Sequence, residues 1–388
     1  METKEAEIIV GKGNPSMQDE YLDFINYVFG FNGQEKDFYK ILPKLYKKEY
    51  DPSGSSYFLW ENGKIKAAVG AFSHDLEIAG ERLSCRGIGN VAVHPYSRGK
   101  GYMKKTLGMA MDDMVKDGID ISFLGGRRAR YNYFSFERAG VALRFKLSSD
   151  AIRHHFGKNR TSRYTYSYVK PEDTRLLDEI AALSDSRPFR PIRPRARLYD
   201  TLISWGSRVL AVTEDDRFVG YAVVRDTDVN EVNLTDATEL LDVIVGLYDT
   251  MKRSEISVIL PPFCPEYAEK LFPIAESYEV ISPKMCSVLC YERVVRAFFK
   301  LKATYETLPD GELTLLIHGR AGDERLLISV RDGIPSVSPT DLPCDRELSH
   351  IDAINLLFSS CDPRRRELPL FARDWFPLPI YMYSADIV

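Results

Sequence analysis

The sequence predicts a multidomain α/β protein built on mixed sheets. Three observations carry this. Strand and helix patterns alternate through the first 145 residues, the alternation recurs more weakly after residue 208, and the pattern changes again from Glu292. A chain of 388 residues allows two to three domains. With 44% apolar and 28% charged residues, it is neither a disordered tail, a collagen nor a coiled-coil rod. No apolar run approaches the ~18 residues of a membrane span. The polar, acidic start at Met1–Glu7 has no apolar stretch for export. Six cysteines without CxxC spacing read as free, mostly buried thiols in a reducing cytoplasm. A net charge of −4 argues against nucleic acid as a partner. Six histidines without HxxxH or HxH spacing argue against a metal centre.

The elements follow in order. A short strand is expected over Ala6–Val10 and an amphipathic helix over Met17–Phe29. Ser56–Trp60 and Ile65–Phe72 flank Asn62-Gly63, the strongest hairpin signal in the chain. Arg86–Val93 is a strand that runs into His94-Pro95 and a glycine-bearing loop. Beyond the loop, Met103, Leu107, Ala110 and Met114 fall on one helical face, Gly118 ends that helix, and Ile119–Leu124 is a strand. Arg208–Val212, a Glu214–Asp216 turn and Phe218–Val224 repeat the earlier hairpin in shape, followed by a helix (Thr238–Met251) and a strand (Ile256–Leu260). The last unit opens with a helix (Tyr291–Lys300). It continues through alternating strands around Leu313–Ile317 and Leu326–Val330, an Asp332-Gly333 turn, and a capping box at Ser349–Asp352 that starts a helix through Phe358. Between the two similar halves lies Arg187–Arg197, with five arginines and three prolines and no aromatic ladder. It reads as a solvated loop rather than a nucleic-acid arm.

The chemistry is carried by Gly89–Leu107. A buried strand ends at Val93, and Arg98-Gly99-Lys100-Gly101 leads directly into a helix. Glycines let backbone approach a ligand closely, and the first-turn N–H groups are unpaired, so the site suits phosphate. Rossmann and Walker A fingerprints are both absent.

The run Val91-x-Val93-x-Pro95-x-x-Arg98-Gly-x-Gly101 resembles the pyrophosphate loop of the GCN5-related N-acetyltransferases. Met103 stands where that family has Gly or Ala. Tyr131-Asn-Tyr-Phe134-Ser-Phe136-Glu resembles the family's Tyr-x-x-Phe-Gly-Phe/Tyr-Glu segment, with Ser135 in place of glycine. The final unit resembles a sterol-carrier-protein fold. The chain ends Trp375–Val388, aromatic and apolar to its last residue, where a terminus is ordinarily polar and frayed. Together these resemble the enhanced intracellular survival (Eis) branch, over the entire chain.

The resemblance implies two acetyltransferase-type domains, an active one over 1–147 and a degenerate one over 148–291, then a sterol-carrier-like domain over 292–388. It implies acetyl-CoA as cosubstrate, held by Val91, Ala92, Val93, Arg98, Gly99, Lys100, Gly101, Tyr102 and Met103. It also implies the Val388 α-carboxylate as general base and Tyr131 as general acid, with Tyr133 a rival for the acid, expected on the same strand face. A carboxylate can take the proton an attacking ammonium must lose, and a phenol can protonate the departing thiolate. The resemblance implies direct transfer without a covalent intermediate, and the lack of a cysteine with an evident activating partner agrees with that. The implied acceptor is an amine-bearing small molecule or a lysine side chain, met in a broad pocket with acidic residues that the sequence does not locate. A cytoplasmic homo-oligomer is implied, with no metal and no membrane. A longer-chain N-acyltransferase and a non-catalytic acyl-CoA or lipid-binding protein are the alternatives.

Overall fold

In the computed structural model, residues 7–282 and 284–388 are described. Ala6, the first residue of the opening strand expected above, lies outside them. The first seven-stranded sheet has the order Ile8–Lys12, Ser56–Glu61, Lys64–Ser73, Cys85–Val93, Ile121–Leu124, Lys284–Val288 and Glu137–Ala139. The second has the order Thr165–Tyr168, Arg208–Glu214, Arg217–Arg225, Asp228–Leu234, Glu255–Leu260, Ala142–Ser148 and Ser277–Ile281. In both, three antiparallel pairings are followed by one parallel pairing and then two antiparallel ones.

The two sheets exchange a strand. Ala142–Ser148, expected within the first domain, pairs with Glu255–Leu260 and Ser277–Ile281 in the second sheet. Lys284–Val288 returns to sit between Ile121–Leu124 and Glu137–Ala139. A boundary at 147/148 therefore cuts across both sheets. Sequence periodicity cannot show this, because a buried strand has the same pattern whichever sheet it completes.

The hairpin at Asn62-Gly63 forms with both residues at positive φ (53° and 73°), as a two-residue primed turn requires. The helix after the glycine loop spans Tyr102–Lys116 and buries Leu107, Ala110 and Met114; Gly118 follows at φ 68°. The final unit is a four-stranded sheet ordered Ile334–Pro339, Gly322–Arg331, Gly311–Gly319 and Arg346–Ser349. The helices Tyr291–Ala303 and His350–Phe358 belong to the same unit, the latter capped by Ser349, whose side chain accepts from the Asp352 N–H.

The segment Arg187–Arg197 is no solvated loop. Phe189–Pro191 pairs with Leu76–Ile78 in a small three-stranded sheet, Phe189 is buried, and the Arg193 side chain is only 3% exposed. Charge density suggested solvent; buried carboxylate partners override it. Of the six thiols only Cys85 and Cys286 are buried, fewer than expected, and all six are free. Among the described residues no helix is long and apolar enough to cross a membrane.

Candidate active site

The site is built where the first sheet opens. Cys85–Val93 pairs in parallel with Ile121–Leu124 only as far as Ile88 and Leu124. From Gly89 onward the two strands part. On the other edge, Ala92 and Val93 remain in register with Ala68 and Ala67, but the register jumps between Ala68 and Gly70. That bulge holds Asn90 at φ 49°, with its buried side-chain oxygen lacking any hydrogen-bond partner. Bulges gather where a sheet must re-aim its side chains. Sequence reading did not single out Asn90, and no local signal marks it.

Beyond Val93, Gly99 and Gly101 take φ 85° and 77°, and neither has any atom within 4 Å of where a Cβ would sit. Gly101 is the N-cap of the following helix and supplies no side-chain cap to the first-turn N–H groups. These features fit a pyrophosphate. Arg98 is exposed, whereas Lys100 pairs with Glu61 at 2.9 Å. Tyr102 is buried and donates to the same carboxylate at 2.7 Å, and Met103 packs against the core that includes Leu107 and Tyr131. Of the residues implied for acetyl-CoA, these last two offer backbone at the helix start rather than side chains.

Tyr131 ends a short helical turn (Arg128–Tyr131), and Tyr133 lies in the 3₁₀ turn Asn132–Phe134. The expected shared strand face is therefore wrong. On a helical turn, residues two apart point to different sides. Tyr131 is buried, while Tyr133 is 68% exposed under the Lys104 ammonium, 4.1 Å from the ring centroid. Ser135 holds φ 69°, the conformation that favours glycine. Burial pushes the Tyr131 phenol above its ordinary pKa, partly offset by the neighbouring Arg130. It is protonated at neutral pH.

The C-terminal segment runs from the final unit back to this opening. Trp375, Tyr381 and Tyr383 are buried in a core shared with Phe123, Val288 and Phe298. Near the end, the Lys44 ammonium donates to the carbonyls of Ala385 and Ile387, both at 2.7 Å. The Trp205 indole N–H donates to the Ile387 carbonyl at 2.8 Å. Asp386 is fully buried and pairs with Arg193 through both carboxylate oxygens, at 3.0 and 2.7 Å. Arg193 also binds Glu231 of the second sheet at 3.0 and 2.8 Å. Desolvation pulls the buried Lys44 down to about 7, although Asp386 opposes it. Burial likewise lowers His74, 3.5 Å from Asp386, to about 4.

These anchors lay Val388 across the strand at Gly87 and Gly89. A Cβ on Gly89 would stand 2.8 Å from the Val388 carboxyl carbon, and one on Gly87 would stand 2.6 Å from Val388 Cγ2. The two glycines thus make room for the terminus. Val388 and Tyr131 line one cavity of ≈ 430 Å³ together with Ile88, Gly89, Asn90 and Val91 of the opened strand. Phe29, Lys36, Phe38 and Ile41 of the N-terminal segment and Trp205 line it as well.

Residues 12–139 match the family model described as acetyltransferase (GNAT) domain, so the chain carries a GNAT acetyltransferase domain and is an enzyme of that class. No curated protein matches the chain. Its fold over nearly the whole length is similar to that of several solved structures. A GCN5-related N-acetyltransferase from Kribbella flavida is 16% identical, with TM-score 0.65 and 96% of each chain covered. Eis1 from Mycobacterium abscessus is 12% identical, with TM-score 0.64 and 97% and 98% covered. A probable N-acyltransferase from Enterococcus faecalis V583 is 16% identical, with TM-score 0.65 and 90% of each covered.

Proposed function

We propose that this protein is an Eis-like N-acetyltransferase that moves the acetyl group of acetyl-CoA directly to a primary amine. The observation that carries this reading is the meeting of Val388 and Tyr131 in one cavity beside the opened strand. Val91–Val93 and the loop Arg98–Met103 would hold the cosubstrate, which when bound supplies an acetyl thioester. The Val388 carboxylate takes a proton from the acceptor ammonium, directly or through water, freeing the nitrogen lone pair. Nitrogen–carbon bond formation then accompanies carbon–sulfur cleavage, Tyr131 protonates the departing sulfur, the second proton lost by the nitrogen restores the phenol, and Val388 passes its proton to solvent. One proton is released to solvent for each amide formed.

The second seven-stranded sheet reads as a degenerate copy of the first. Its strand order supports this. Between Leu234 and the helix Leu240–Met251 it has Thr235–Glu239, with an Asp236 cap and no glycine, which suits no phosphate. The unit after residue 291 reads as sterol-carrier-like, and its role here is to deliver Val388.

The test compares turnover of the same chain tagged at the N-terminus and at the C-terminus, by thiol release from acetyl-CoA. The C-terminal tag replaces the carboxylate by an amide and should abolish turnover while the melting temperature holds. Equal activity would remove Val388 from the mechanism.

A further inference from the structure

We infer that the acceptor is an amine with an aromatic or branched apolar body that also carries an anionic group, and not a polycation. The inference rests on the acetyl-transfer reading and deepens it by naming the acceptor class. The cavity shared by Val388 and Tyr131 is also lined by Phe29, Phe38, Ile41 and Trp205, and by the two cations Lys36 and Arg130. The side chains lining this cavity include no Asp or Glu among the described residues. Val388, also on the lining, would bring the terminal carboxylate that the proposed chemistry uses.

The apolar wall is fixed in place. Phe29 and Phe38 stand edge to face at 5.2 Å, and the Phe38 N–H is held by the Asn26 side chain at 3.0 Å. Trp205 adopts φ 62°, ψ 24°, a left-handed conformation costly for a bulky residue. Its indole N–H is spent on the Ile387 carbonyl, so the ring offers the cavity an apolar face. Strain of this kind persists where the surroundings over-determine it, and here it aims an aromatic plane into the cavity.

The charges point the same way. Among the described residues neither Lys36 nor Arg130 has a carboxylate within 4 Å, and Asp37 turns away to Lys40 at 3.0 Å. Two cations without a carboxylate partner on a cavity lining repel a spermidine- or aminoglycoside-like acceptor and attract a carboxylate or phosphate. Neither Gly99 nor Gly101 of the loop proposed for the pyrophosphate lines this cavity. A polycation would also leave several ammonium groups desolvated against Phe29, Phe38 and Trp205 without partners.

The experiment measures thiol release from acetyl-CoA by the full chain with five amines: L-phenylalanine, 4-(2-aminoethyl)benzoate, phenethylamine, spermidine and kanamycin. At least one of the two anionic amines should exceed phenethylamine in kcat/KM by about tenfold or more, a charge-assisted contact's worth. Both polycations should fall below phenethylamine. Lys36→Glu should bring the ratio of kcat/KM for the anionic amines to that for phenethylamine down to one or below. A preference for spermidine or kanamycin would overturn the inference and leave acetyl transfer standing. So would a Lys36→Glu defect confined to KM for acetyl-CoA, which would assign the cation to the cosubstrate. No release with any amine would strike the acetyl-transfer reading instead. Calorimetric binding would then decide the cavity, with tighter binding of spermidine than of 4-(2-aminoethyl)benzoate overturning the inference.

Discussion

Gly89→Ala separates a misplaced carboxylate from a damaged fold. Gly89 has no positive φ, so alanine carries no backbone penalty there. The new methyl would stand 2.8 Å from the Val388 carboxyl carbon and 3.2 Å from its Cβ and Cγ2, against 3.4 Å for the edge of ordinary contact. The carboxyl carbon must retreat by about 0.6 Å, and a shift approaching 1 Å costs a reaction up to ~10²-fold. The expected result is kcat down by roughly ten- to a hundredfold, with ~1–3 kcal/mol lost in stability from overpacking. Gly87→Ala is the control. Its methyl meets Val388 Cγ2 at 2.6 Å, a side-chain atom, and the next Val388 atom is Cβ at 3.8 Å. Adding Val388→Ala, which keeps the carboxylate, should therefore restore Gly87→Ala but not Gly89→Ala. Steady-state thiol release and thermal melts on the four variants make the comparison. Wild-type kcat in Gly89→Ala, or its full rescue by Val388→Ala, would refute the argument that carboxylate position governs rate.

Three further outcomes are expected. Tyr131→Phe should lower kcat by ~10²-fold with acetyl-CoA affinity nearly unchanged, whereas Tyr133→Phe, at an exposed ring, should change neither; the reverse pattern in a steady-state assay would exchange their roles. Arg193→Met strands two buried carboxylates, Glu231 and Asp386, and should cost about 3–5 kcal/mol in a urea titration; a loss below 1 kcal/mol would mean the tail is held otherwise. Lys44 is held near 7 in the fold against 10.5 in the open chain, so between those values the unfolded state binds more protons. Its burial cost is complete below about pH 7 and fades as pH rises toward 10.5, so wild-type stability should gain over that window. Lys284, lowered to about 8, adds a rise of the same sign; the difference from Lys44→Met in denaturant midpoints isolates the Lys44 share.

Local features were legible in the sequence. Asn62-Gly63 announced its hairpin, the spacing of Leu107, Ala110 and Met114 announced its helix, and Ser349 announced its cap. Gly99 and Gly101, singled out in the sequence, stand at positive φ, a conformation that favours glycine. What escaped depends on partners far away in the chain. Arg193 looked like one of five loop arginines until Glu231 and Asp386 enclosed it. Only the resemblance favours Tyr131 over Tyr133, because a period of two puts both on one face, whereas the segment folds as a helical turn. The cavity wall draws Phe29, Lys36 and Trp205 from segments that no local pattern connects.

The crossed strands also bear on how the protein is made. Glu137–Ala139 and Ile121–Leu124 leave a gap in the first sheet that only Lys284–Val288 fills, about 145 residues later in the chain. At translation speeds of 5–20 residues per second, the nascent chain carries that open slot for roughly seven to thirty seconds. Meanwhile Ala142–Ser148, already synthesised, is a strand with one apolar face adjacent in sequence to the vacant place, and its own sheet does not yet exist. Local pairing there would be a kinetic trap, relieved only by strand exchange once residues 255–288 emerge. Ribosome-bound chains halted near residue 200 are therefore where a trigger-type chaperone or a protease would find exposed sheet edges, and chains released beyond residue 288 are where those edges close.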